Sequence, residues 1–324
     1  MAHGSGGSAT RELVQDLFQK YFKNDALNKM EDAAVLDVQA GKIAYTTDSF
    51  VVTPIFFAGG NIGKLAVCGT LNDLLVMGAV PKYLTAGFII EEGMKIEKLE
   101  DVVKSMAAAT READVSIVAG DTKVIEGNGG IYINTSGVGF ISQKPLHTSN
   151  VKPGDAVIVS GALGNHHACI LAHRMNIKNT ISSDCAYLGD MVQNLNKEGI
   201  EIKTMRDVTR GGLATVLNEI AEGSDTTVNL LEENIPVDAE VKSFCGILGL
   251  DPLYMANEGK LVCFVDGKDA EKALDIIKKS KFGEKASIIA AVSKRESAPV
   301  MVKTRVGGVR ILSILQGEGL PRIC

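Results

Sequence analysis

Residues 46–78 read TTDSFVVTPIFFAGGNIGKLAVCGTLNDLLVMG, and the reading of this stretch decides the fold. It opens inside GKIAYTTDSFVV (41–52), whose pattern predicts a strand running into a turn. From Asn61 the apolar residues lie nearly all round a helical wheel, so the spacing predicts a helix buried on most sides. Working outward, YLTAGFIIEEG (83–93) predicts a strand and IEKLEDVVKSMAAATREA (96–113) an amphipathic helix. VSIVAGDTKV (115–124) and GIYINTSGVGFI (130–141) predict two more strands. The alternation then stops at SQKPLHTSNVKPGD (142–155), which is rich in turn formers.

A second series follows. AVIVSGAL (156–163) predicts a strand, with helices around 168–175 and within AYLGDMVQNLNKEG (186–199). DVTRGGLATVLNEIAEG (207–223) is a turn opening a helix, and strand and helix pairs continue to about Lys303. The last twenty residues predict a strand followed by a loose arm, with Gly307, Gly308, Gly317 and Gly319 as hinges and Pro321 stiffening the end. The expected organisation is a domain over 1–149, a second over 150–304 and a tail over 305–324. The expected class is α+β with α/β-like alternation.

The 324 residues suit about two domains, and a net charge of −5 argues against a large nucleic-acid surface. The apolar run 65–80 is short and interrupted by Asn72 and Asp73, so no membrane span is expected. The first residues lack the basic-then-apolar pattern of a secretory signal, and a cytoplasmic protein is expected. The six cysteines form no CxxC pair, which argues against a zinc knuckle. Most lie in apolar runs, as Cys68 and Cys263 do, and are expected to be small core residues. Cys324 differs: a thiol ending GEGLPRIC (317–324) is a chance terminus, a tail for an intermolecular disulfide or a reactive group on an arm.

Four carboxylates stand where an unpaired charge is poorly placed. Asp48 and Asp121 are expected after strands, each followed by a hydroxyl residue, Ser49 or Thr122. Asp73 lies inside the apolar helix and Asp32 opens another apolar run. Taken singly, each is more readily structural, the strand-end residues as turn caps and Asp73 as the partner of a buried lysine. Together they favour a site for Mg²⁺ and nucleotide phosphates, the hard oxygen donors that this cation takes.

AGGNIGKL (58–65) fails the P-loop pattern at Ala58 and Leu65. HGSGGSAT (3–10) offers the backbone N–H groups of Gly6 and Gly7 as a possible anion nest. Gly211 and Gly212, with Arg210 beside them, offer a second at a helix start, or an ordinary helix start.

In order, HGSGG, DAAVL, TTDSF, GKLAVCGTLNDLLVMGA, GDTKV, DVTRGGLA and NEG resemble the ATP-using superfamily of aminoimidazole ribonucleotide synthetase, selenophosphate synthetase and thiamine-phosphate kinase. The extended segment 46–74 and the PRIC ending resemble one family within it, the HypE carbamoyl dehydratases of hydrogenase maturation. That resemblance covers nearly the whole chain. It implies a two-domain fold whose N-terminal domains pair in a homodimer, with ATP and Mg²⁺ as cofactors. It also implies that the carbamoyltransferase HypF loads Cys324, that the carbamoyl group is dehydrated to cyanide, and that the cyanide passes to a HypC–HypD iron scaffold. Lys123 would then act at the phosphorylated oxygen and Glu258, in MANEGKLV (255–262), as base.

Two departures stand out. GALGNHHA (161–168) replaces a GDHG-type loop, so Asn165, His166 and His167 receive no role. Glu31 stands where relatives carry a second Asp. The rival readings are a sister synthetase or kinase, which has no need of Cys324, and a non-catalytic adaptor with a docking tail.

Overall fold

The computed structural model describes residues 12–29, 33–36, 38, 40–141 and 146–315. The described residues divide into two compact units, 12–74 with 79–141 and 146–315 with 75–78. The division thus falls between 141 and 146 instead of at residue 150.

The first unit contains β1 (Lys42–Phe50), a short hairpin β2 (Phe56–Phe57) and β3 (Gly60–Asn61), α1 (Ile62–Val76), β4 (Val80–Glu91), α2 (Ile96–Ala113), β5 (Ser116–Ile125) and β6 (Ile131–Ile141). Its main sheet has the order β1-β6-β4-β5. The β4–β5 pair is parallel, joined by α2 as a crossover, and the other pairs are antiparallel.

Strand periodicity divides the sheet into two faces. On β4, Leu84, Ala86, Phe88 and Ile90 are buried, whereas Tyr83, Thr85, Gly87 and Ile89 are half-buried or exposed. The buried face receives α1, which fits because small residues line its contacts. A Cβ on Gly63 would lie 2.3 Å from the Val102 carbonyl of α2, and one on Gly69 would lie 2.8 Å from the Phe50 ring. Thr70 and Thr135 share a buried hydroxyl hydrogen bond of 2.6 Å, and Thr135 also donates to the Ala66 carbonyl at 3.0 Å. A π-helical segment, Val14–Gln19, continues into Lys20–Phe22 and sets Phe18 against Phe88, with ring centroids 4.7 Å apart and the planes tilted by 30°.

The second unit contains β7 (Ala156–Val159), α3 (Asn165–Arg174), α4 (Gly189–Lys197), β8 (Ile202–Asp207), α5 (Gly212–Gly223), β9 (Thr226–Leu231), α6 (Ala239–Leu248), β10 (Leu261–Val265), α7 (Ala270–Lys279), β11 (Ser287–Lys294), β12 (Val300–Lys303) and β13 (Val309–Ile311). They form a seven-stranded sheet, β13-β12-β9-β11-β7-β10-β8, in which only β9–β12 is parallel. β7 and β10 are buried at every position, the mark of strands covered on both faces. Leu213, Leu217 and Ile220 of α5 pack in one core with Val157, Val262 and Phe264.

The expected tail begins too early at residue 305. Residues 305–308 form a hairpin turn, with Gly307 at φ +88° and Thr304 N–H donating to the Gly308 carbonyl at 2.8 Å. Met301 then pairs with Ile311. Gly307 and Gly308 are therefore turn residues of a sheet edge and not hinges. The Tyr254 hydroxyl donates to the Ser313 carbonyl at 2.9 Å, which holds the chain beyond β13. Residues 316–324, including Gly317, Gly319, Pro321 and Cys324, lie outside the described residues.

In the first turn of α3, His166 is 2% exposed and its Nδ1 lies 2.8 Å from the Ser183 hydroxyl. Burial pushes the imidazole down to about 4. Its proton affinity is thus lower folded than unfolded, where about 6.5 is normal, so stability is full above pH 6.5 and falls as pH drops toward 4. Lowering the pH from 7 to 5 should cost about 2 kcal/mol through this one group. Urea unfolding of wild type and His166→Gln at both pH values should show a smaller pH dependence in the variant by that amount.

Candidate functional site

The carboxylates of the first unit fall into two sets. Asp73, on α1, accepts a hydrogen bond from the Thr46 hydroxyl of β1 at 3.0 Å. Asp48 lies on the same face of β1 as Thr46, roughly 7 Å further along the strand. The helix therefore brings Asp73 to the strand that carries Asp48. A hydroxyl thus meets the helical carboxylate.

Asp121 lies elsewhere. It pairs in register with Gly87, Gly87 with Asn134, and Asn134 with Ser49, so Asp121 is three strands from β1. Its side chain projects from the face opposite to that of Asp48, because Ser49 and not Asp48 shares its row. Lys123 bonds to it at 3.0 Å, and this holds the Asp121 carboxyl below the usual carboxylate range. Both side chains are largely exposed, and such a pair contributes on the order of 0–1 kcal/mol. Neither Asp48 nor Asp121 follows its strand as expected: both lie inside, in β1 and β5.

The open face carries a polar row beside them. Asn134 Nδ2 donates to the Asp48 carbonyl at 2.9 Å and to the Ser49 hydroxyl at 3.0 Å, and Ser136 lies 2.9 Å from the Thr47 hydroxyl. Thr122 is buried on the other face and, with Phe18, Phe88 and Asp121, lines a pocket of about 150 Å³. Among the described residues no three His, Cys, Asp or Glu side chains converge as a metal cluster. Asp48 and Asp73 nonetheless suit Mg²⁺, which commonly takes one or two protein carboxylates and completes its shell with phosphate oxygens and water. Asp32, Gly6, Gly7 and Cys324 lie outside the described residues.

In the second unit, Gly211 and Gly212 precede and open α5 with φ of +81° and +64°. A Cβ on Gly212 would lie 2.4 Å from the Leu253 carbonyl, so close packing already requires that glycine. Arg210 beside them is exposed.

Glu258 is half-buried in a turn whose main chain is held on every side. Asn257 donates its N–H to the Val208 carbonyl at 3.1 Å, and its Oδ1 accepts from Gly164 N–H at 2.7 Å. Glu258 N–H donates to Asp184 Oδ1 at 3.2 Å, and the Glu258 carbonyl accepts from Ala186 N–H at 3.3 Å. Lys260 Nζ lies 3.3 Å from Asp184 Oδ2, with side chains 10% and 6% exposed. Sequence reasoning missed Asp184, Lys260 and His166. Asp184 lies in an aperiodic loop, and the one usable signal was a lysine two residues after Glu258 in a buried strand start.

Among the described residues no helix is long and apolar enough to cross a membrane. Residues 30–141 match the model of the AIR synthase related protein N-terminal domain, and residues 152–303 that of its C-terminal domain. The carbamoyl dehydratase HypE of Bradyrhizobium diazoefficiens is 46% identical over 330 residues, spanning 100% of this chain and 95% of that protein. A crystal structure of the hydrogenase maturation protein HypE in complex with ATP superposes with a TM-score of 0.95 at 45% identity, covering 100% of this chain and 99% of the other. A HypE chain from a HypE–HypF complex superposes with a TM-score of 0.81 at 46% identity, covering 94% and 99%. The chain belongs to the HypE family of carbamoyl dehydratases, within the AIR synthase related proteins.

Proposed function

We infer that this chain is an ATP-dependent carbamoyl dehydratase that converts a carbamoyl group on Cys324 into a thiocyanate, supplying cyanide for the iron of a [NiFe]-hydrogenase. Family membership over the full length supports the reaction. The observation that carries the nucleotide part is Asp73: a carboxylate inside an apolar helix, turned onto β1 beside Asp48.

The overall change is R–S–C(O)NH₂ + ATP → R–S–C≡N + ADP + phosphate. ATP supplies the phosphoryl group that makes the amide oxygen a leaving group, and Mg²⁺ offsets its charge. Asp48 and Asp73 would hold the metal, with Asp32 and Asp121 as the further candidates. Thr122, Gly6, Gly7, Arg210, Gly211 and Gly212 are the remaining candidates for contact with the nucleotide. Lys123 is the candidate cation for the negative charge that gathers on the departing oxygen. Glu258 takes protons from nitrogen as that oxygen leaves.

HypF would load the thiol, and a HypC–HypD scaffold would receive the cyanide, all in the cytoplasm. A HypE–HypF complex among the relatives supports the first of these encounters. A homodimer through the open sheet face is part of the reading. That face presents Ile43, Tyr45, Ile89 and Ile125 at 40–67% exposure, more apolar surface than a single strand edge needs.

Asp73→Asn should fold and bind Mg·ATP poorly. Calorimetry giving wild-type Mg·ATP binding in Asp48→Asn, Asp73→Asn and Asp121→Asn alike would remove the metal assignment. Incubation with HypF, carbamoyl phosphate and ATP should add the carbamoyl and then the cyano group to Cys324, as read by intact mass. Cys324→Ala should take no label while still binding ATP, and label on Cys68 or Cys185 would overturn the carrier role. Light scattering should give about twice the 34.3 kDa chain mass. A monomer mass at micromolar concentration would count against the dimer.

A further inference from the structure

The geometry points to Asp184 as the residue that positions Glu258, with Lys260 as the counter-ion that holds the Asp184 carboxylate in place. This rests on the base role proposed for Glu258.

The main chain of Glu258 is bonded at both ends to one short segment. Its N–H donates to Asp184 Oδ1 at 3.2 Å, and its carbonyl accepts from Ala186 N–H at 3.3 Å. Gly259 approaches the same segment so closely that a Cβ would lie 1.9 Å from the Asp184 carbonyl. Lys260 closes the arrangement: Nζ is 3.3 Å from Asp184 Oδ2 and donates to the Gly259 carbonyl at 2.9 Å. The segment is anchored from behind by Ser183, whose hydroxyl meets His166 Nδ1 at 2.8 Å and accepts from Cys185 N–H at 3.1 Å.

Stability alone is a weak reason for this pair, since apolar residues of similar volume commonly stabilise as well or better than a buried ion pair. A general base, by contrast, must lie within hydrogen-bond reach of the proton it removes. Displacing such a group by about 1 Å costs about 10²-fold in rate. Asp184 fixes the peptide that carries the base through its acceptor oxygen, and Lys260 is the counter-ion to the second oxygen of that carboxylate, so a neutral acceptor at 184 needs no lysine.

Two double variants isolate this role, because each removes both buried charges together. Asp184→Asn/Lys260→Met keeps an oxygen acceptor for Glu258 N–H, whereas Asp184→Leu/Lys260→Met does not. The full-length proteins, carbamoylated by HypF with carbamoyl phosphate and ATP, are then followed in a single-turnover mass assay of dehydration. The asparagine variant should react within about threefold of wild type, and the leucine variant about 10²-fold more slowly. Loading by HypF and Mg·ATP affinity should be unchanged in both. Asp184→Ser/Lys260→Met, whose side chain is too short to reach Glu258 N–H, replaces the leucine variant should that one fail to fold.

A wild-type rate without the acceptor overturns the proposal. Equal slowing of the asparagine and leucine variants also overturns it, because the loss would then belong to the charge pair. Glu258→Gln runs beside them: a slow reaction there with fast acceptor-lacking variants removes only the positioning role. A wild-type rate in Glu258→Gln removes the base itself, and the role of Asp184 with it.

Discussion

Gly63 of α1 packs so tightly on α2 that a Cβ there would lie 2.3 Å from the Val102 carbonyl, and the arrangement of the first unit follows from it. With no Cβ between them, α1 sinks into the angle between α2 and the sheet, where its apolar residues are buried nearly all round. A helix so enclosed has little room for a charge. Asp73 is accommodated because the Thr46 hydroxyl of the edge strand meets it, and Asp48 follows two residues later on the same face. The candidate metal ligands are thus a by-product of helix burial: the packing that makes α1 apolar also aims its single carboxylate.

Much of this was legible before the structure. The period of two in YLTAGFIIEEG gave β4 its buried and open faces, and the enclosed character of α1 was plain from its composition. Strand order was not legible, and it is strand order that separates Asp121 from Asp48. Two residues, each followed by a hydroxyl, look alike along the chain. In the sheet they stand on opposite faces of opposite edge strands, because the pairing of β4 with β5 sets one pleat and that of β1 with β6 the other. The glycine pair 211–212 carries a second cause that the sequence hides. A helix-start glycine suggests an anion nest, yet Gly212 is required by the Leu253 carbonyl, a contact 41 residues away in sequence that no local pattern encodes.

The second unit shows the same division between local and distant causes. NEGK is a short motif, but three of its four residues have structural explanations once the turn is seen. Asn257 ties Gly164 to Val208, Gly259 admits the Asp184 carbonyl, and Lys260 meets the Asp184 carboxylate. Those partners come from loops that carry no periodic signal, so their part in the site could emerge only from coordinates. His166, left without a role by its altered loop, anchors the neighbour of Asp184.

The hairpin that closes at Gly307 has a last consequence, which is one of leash length. Because β13 is bonded to β12 and Tyr254 holds Ser313, the chain is moored as far as the end of the sheet edge. Nine peptide links separate Leu315 from Cys324. At full extension they span roughly 30 Å. Every encounter of that thiol is therefore confined to a sphere of about that radius around Leu315, and each residue removed from the arm draws the boundary in by about 3.5 Å.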